Sequence, residues 1–150
     1  MHDHIVEQVK QCMVTIDLRR HQLLVICEKF EEKRVETIAN KLQLPLLNVN
    51  LILSTELKDM PVQRRPYKVQ KVLSDAVNQT DTKAVCLDHI ELCFEPSLKQ
   101  DPIRLFEDLS RKRTLIVSWR GASHGQELVY AEPGHSEYVR SKVDGIVIGA

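Results

Sequence analysis

Leu23-Leu24-Val25-Ile26-Cys27, followed by Glu28-Lys29-Phe30-Glu31-Glu32-Lys33-Arg34 and then by Val35, Ile38, Ala39 and Leu42, is the stretch on which the fold of this chain turns. Its first five residues are a continuous apolar run, the pattern of a strand buried on both faces. The apolar positions beyond Arg34 recur at helical spacing. A buried strand, a polar turn and an amphipathic helix in that order open a βαβ unit, which belongs to a parallel sheet.

The same alternation continues in both directions. Ile5, Val9, Met13 and Ile16 predict a helix over 4–20, closed by Arg19-Arg20-His21, whose cations suit a helix C-terminus. Pro45 stops the second helix, and Leu46-Leu47-Asn48-Val49-Asn50 reads as a strand. Residues 54–65 are mostly polar and read as a connecting loop, and Val69, Val72, Leu73, Ala76 and Val77 predict a helix over 67–77. Ala84 to Asp88 is a strand ending on a carboxylate. Asp101-Pro102 supplies the N-cap and first residue of a helix through Leu109. Thr114 to Trp119 is a strand, Gly121 to Gly125 a loop, Glu127 to Ala131 a strand and Gly145 to Ile148 a last short strand. The reading is a single α/β domain over residues 1–150, with a parallel sheet flanked by helices.

Composition excludes several classes. The chain has 150 residues, 43% of them apolar, with 21 acidic against 21 basic, so no global field draws it to a polyanion. No window reaches the roughly 18 apolar residues of a membrane span. The N-terminus has neither a basic nor an apolar leader region, so a cytoplasmic protein is expected. Cys12, Cys27, Cys86 and Cys93 are scattered and read as buried free thiols, and no cluster has metal-ligand spacing.

In an open parallel sheet, ligands bind outside the carboxyl ends of the strands. There the sequence places Lys29, Lys33 and Arg34 after the first strand, Asp88 and Glu91 after a neighbouring one, and Ser118 with Arg120 at the end of a third. A lysine for phosphate and an aspartate for magnesium stand this way in a P-loop enzyme. Such a cradle needs glycines, so that successive N–H groups turn toward the anion, and a hydroxyl residue after the lysine. Here Cys27 and Glu32 occupy the glycine positions and Arg34 replaces the hydroxyl residue. Glu31 and Glu32 suit a helix N-terminus and would take the place of phosphate. The loop is therefore either a self-paired helix start or an altered cradle. Asp88 either holds magnesium or caps a turn; Glu91 activates a water or faces solvent; Ser118 senses a γ-phosphate or satisfies a nearby backbone group.

Leu46-Leu47-Asn48-Val49-Asn50-Leu51, Asp88-His89-Ile90-Glu91, Asp101-Pro102-Ile103-Arg104-Leu105, Leu109-Ser110-Arg111-Lys112-Arg113-Thr114 and Tyr130-Ala131-Glu132-Pro133-Gly134-His135-Ser136-Glu137-Tyr138 together carry a resemblance over nearly the full length. On them the chain resembles the BrxF family, the small P-loop-containing proteins of type 3 BREX phage-defence systems. The resemblance implies a P-loop NTPase-like, AAA-like core of three layers, with Asp88 as the Walker B carboxylate and Ser118 near a sensor position. It implies work beside a large ATPase, a DNA methyltransferase, an alkaline-phosphatase-like protein and a helicase. It also makes Arg111, Arg113 and Arg120 candidates for an arginine offered to a neighbouring copy. Where the family carries a glycine-rich loop ending in Gly-Lys-Thr or Gly-Lys-Ser, this chain has Glu32-Lys33-Arg34.

Three functional readings follow. In the first, the protein is a scaffold or regulatory subunit with a degenerate nucleotide site. In the second, it binds and hydrolyses ATP with Mg²⁺ through Lys33, Asp88 and Glu91. In the third, it binds DNA through Arg64-Arg65, Lys68, Lys71 and the Arg111-Lys112-Arg113 run, with Arg120 as a further candidate contact. Homo-oligomerisation is compatible with all three.

Overall fold

The computed structural model describes residues 2–149. Five strands, β1 (Leu23–Cys27), β2 (Leu46–Asn48), β3 (Ala84–Asp88), β4 (Thr114–Trp119) and β8 (Ile146–Ile148), form one sheet in the order β2-β3-β4-β1-β8. Every pairing in it is parallel. The helices are α1 (His2–Thr15), α2 (Arg34–Leu42), α3 (Val49–Leu57), α4 (Val69–Asn78) and α5 (Pro102–Leu109).

Strand alternation sorts the core into two layers. Leu24, Ile26, Cys86 and Ile116 pack with Val9, Val35 and Ile38, so α1 and α2 cover one face. Val25, Leu87, Leu115 and Val117 pack with Leu53, Leu73 and Phe106, so α3, α4 and α5 cover the other. All residues of β1, β3 and β4 are buried, as their apolar runs required.

Beyond β4 the chain leaves this sheet. β5 (Ala122–His124), β6 (Glu127–Tyr130) and β7 (Val139–Lys142) make a small antiparallel sheet before β8 returns to the edge of the main one. Trp119 anchors it: its indole N–H donates to the Val129 carbonyl at 3.1 Å, and Phe94 stacks on Tyr130 with ring centroids 3.7 Å apart. Gly121 lets the two segments approach, since a Cβ there would collide with the Val129 carbonyl.

Several boundaries differ from the sequence reading. The second strand ends at Asn48 rather than Asn50, because the Asn48 side chain accepts the Leu51 N–H at 3.0 Å and caps α3. Helix α3 and a 3₁₀ segment at Val62–Tyr67 replace most of the loop expected over 54–65. The first α-helix stops at Thr15 and continues as a 3₁₀ turn. The loop at 121–125 holds β5, and β7 was not foreseen. Asp88 does not lie on a strand neighbouring the loop strand, because β4 runs between β1 and β3.

Candidate functional site

Parity along the strands builds the site. Leu24 and Ile26 on β1, Cys86 on β3 and Ile116 on β4 face the α1–α2 layer, and the next positions on that face are Glu28, Asp88, Ser118 and Arg120. Each strand is thus apolar inside the sheet and turns polar at its carboxyl end. The register pairs Cys27 with Trp119, so Glu28 and Arg120 emerge side by side, and the Glu28 N–H donates to the Trp119 carbonyl at 3.0 Å.

Arg120 fills the gap between β1 and β3. Its guanidinium donates from Nη1 to Asp88 Oδ1 at 3.0 Å and from Nη2 to Glu28 Oε1 at 3.3 Å. It also donates to the Glu32 carbonyl at 3.4 Å. The side chains are 12% exposed for Arg120, 5% for Asp88 and 0% for Glu28, so the ion triad is almost dry. Burial pushes the Glu28 carboxyl above its ordinary range, and Asp88 adds to the rise. The Val35 N–H and the Arg120 guanidinium partly offset it. Asp88 Oδ1 also accepts the N–H of His89, a non-glycine residue at φ 52°.

The loop from Cys27 to Arg34 satisfies itself. Glu28 Oε2 accepts the N–H of Val35 at 3.0 Å in the first turn of α2, and Glu32 Oε1 accepts that of Lys29 at 2.7 Å. Arg34 donates to Glu32 Oε2 at 3.0 Å and to the Cys27 carbonyl at 3.1 Å. None of these eight residues has a left-handed φ. A run without left-handed residues cannot make the alternating nest of N–H groups that surrounds a phosphate.

Two cavities flank Arg120. One of about 700 Å³ is lined by Lys29, Arg34, Glu28 and Ser123, among others. The second, of about 270 Å³, brings together Lys33, Asp88 and Glu91 with Glu36 and His89. Lys33 is exposed at the N-cap of α2, and among the described residues its amine has no partner. Glu91 accepts a hydrogen bond from Asn50 Nδ2 at 3.2 Å, and Asn50 Oδ1 accepts the Leu92 N–H, tying α3 to the segment after β3. Ser118 is buried with its hydroxyl unpartnered. It lines neither cavity.

Arg111, Lys112 and Arg113 precede β4 and so lie at the opposite edge of the sheet from Asp88. Arg113 is not free for DNA or for a neighbouring site. Its Nη1 donates to the Val77 and Thr80 carbonyls and to Thr80 Oγ1, closing the C-terminal end of α4. Arg111 pairs with Asp108 at 3.4 Å. Arg120 is likewise turned inward, its guanidinium committed to Glu28 and Asp88. Glu28 was missed by sequence reasoning, although its parity with Asp88 across two buried runs was a usable signal. Comparison of the chain with family models, with curated proteins and with solved structures finds no match.

Proposed function

We propose that this protein is a P-loop NTPase-like, AAA-like subunit of a bacterial BREX-type phage-defence assembly, acting as a scaffold or regulator with a degenerate nucleotide site. The defence role rests on the sequence resemblance; the observation that carries the degenerate site is the Glu28–Arg120–Asp88 triad, which puts a protein cation where magnesium and phosphate would meet the Asp88 carboxylate. Supporting it, the loop's own carboxylates take the Lys29 and Val35 N–H groups that an anion would need. The strand order, with the Ser118 strand between the loop strand and the Asp88 strand, suits the P-loop-like architecture. The rival reading, an active ATPase, draws on Lys33, Asp88 and Glu91 sharing one cavity. Expelling Arg120 from two buried carboxylates stands against it, since breaking such a pair costs about 3–5 kcal/mol.

Calorimetric titration with ATP and Mg²⁺ is expected to give no binding at millimolar nucleotide. Saturable binding that disappears in Lys33→Ala would overturn the degenerate site. The assembly role is tested by co-expression with the large ATPase, methyltransferase and phosphatase-like proteins of a type 3 BREX system lacking its small P-loop subunit. Co-purification and restored phage resistance are expected, equally for wild type and Lys33→Ala. Failure of both with all three proteins refutes the defence role.

A further inference from the structure

Outside the carboxyl-edge site, one stretch concentrates charge in a chain whose total is balanced. Between Lys58 and Lys71 the basic residues are Lys58, Arg64, Arg65, Lys68 and Lys71, against a single acid, Asp59. In its middle stands Tyr67, 84% exposed, and Val62 is 53% exposed. Leaving a tyrosine ring almost wholly in water forgoes the burial that usually holds aromatic residues inside.

The geometry sorts these residues. Arg65 serves the fold: its Nε donates to the Met60 carbonyl at 3.0 Å and its Nη2 to the Lys58 carbonyl at 3.3 Å, pinning the turn after α3. Arg64 and Tyr67 are three apart in the 3₁₀ segment Val62–Tyr67, and with three residues per turn they lie one above the other. Lys68 follows directly, and Lys71 comes one helical turn after Tyr67. Arg64, Lys68 and Lys71 are all exposed. Lys71 pairs with Asp75 at 2.9 Å, an exposed pair worth little and readily exchanged. Glu56 and Asp59 share a groove with Arg64 and Lys68 and moderate the field, which suits weak, salt-sensitive binding.

We infer that Arg64, Tyr67, Lys68 and Lys71 form a binding site for single-stranded nucleic acid. Tyr67 offers an open ring face for a base, and the three cations flank it for backbone phosphates. A duplex keeps its base faces stacked and cannot stack on Tyr67; an acidic protein could also bury the ring, and competition by polyglutamate distinguishes it. The site is independent of the Arg120 triad and of the BREX reading, and it replaces the Arg111–Arg113 cluster as the nucleic-acid surface.

The test is fluorescence anisotropy with a labelled mixed-sequence single strand of about 20 nucleotides, over a salt series. Single-strand binding at low salt is expected, with duplex DNA of the same sequence weaker. Tyr67→Ala should weaken the single strand by roughly tenfold and Tyr67→Phe should hardly change it. Arg64→Gln, Lys68→Gln and Lys71→Gln together should flatten the log–log salt slope by about 2, at roughly 0.7 per lost phosphate contact. Arg111→Gln with Lys112→Gln should leave binding unchanged. These side chains are exposed, so circular dichroism should show every variant folded. Absence of binding at 50 mM salt overturns the inference. So does binding indifferent to Tyr67→Ala, or polyglutamate competing as well as single-stranded DNA, which would assign the patch to an acidic protein.

Discussion

Replacing Arg120 by alanine should unbalance the centre of the molecule. The substitution leaves Glu28 and Asp88, with side chains 0% and 5% exposed, beside one another without their shared cation. Removing one partner of a buried ion pair costs about 3–5 kcal/mol, because the remaining charge stays desolvated. At roughly 2–4 °C per kcal/mol for a chain of this size, the melting temperature should fall by about 6–20 °C. The loss should also depend on pH, and the direction is fixed. Burial already raises the Glu28 carboxyl, and Arg120 is one of the groups that oppose the rise, so alanine lifts it further. An acid whose folded pKa exceeds its unfolded one gains stability as pH falls through the folded value. The penalty of Arg120→Ala should therefore shrink between pH 7.5 and pH 5. Urea denaturation followed by circular dichroism at both pH values measures it. Arg120→Met combined with Glu28→Gln and Asp88→Asn should recover most of the loss, since a neutral set carries no stranded charge. A loss under about 1 kcal/mol for Arg120→Ala, the same at both pH values, would refute the picture of a dry, obligate triad.

Phe94→Ala removes the ring stacked on Tyr130 and packed edge-on against Trp119, and should cost about 3–5 kcal/mol, with loss of near-ultraviolet circular dichroism from the tryptophan. Arg113→Ala should destabilise by about 1–3 kcal/mol by releasing the Val77 and Thr80 carbonyls, measured by denaturation. Asp144 is held below the ordinary carboxylate range, first by its 2.6 Å hydrogen bond with His21. Its contribution is present above the unfolded carboxylate pKa and lost as pH falls through the lower folded value. Wild type should thus lose its advantage over Asp144→Asn in acid, and acid-unfolding curves that stay parallel would contradict this.

How far these features could be read in advance depends on how local their causes are. The runs Leu23–Cys27, Ala84–Asp88 and Thr114–Trp119 are continuous and apolar because both faces of a covered parallel sheet are buried, so they announce themselves. The α3 boundary was misread because Leu46 to Leu53 is apolar under either period. Val49, Leu53 and Leu57 at i, i+4 and i+8, behind the capping Asn48, were the signal for a helix. The small sheet was hidden because β7 is mostly exposed and carries no apolar alternation to mark it as a strand, and it pairs with β6 across the polar connection 131–138.

The loop between Cys27 and Arg34 shows the same division. Its lack of glycine is a property of the sequence alone, and it limits the backbone wherever the loop sits. That Glu28 would be the buried carboxylate, and that Arg120 would reach it and Asp88 together, was decided only by tertiary structure. Those three residues are brought together by strand register across β1, β4 and β3, and no local pattern records register between strands so distant along the chain.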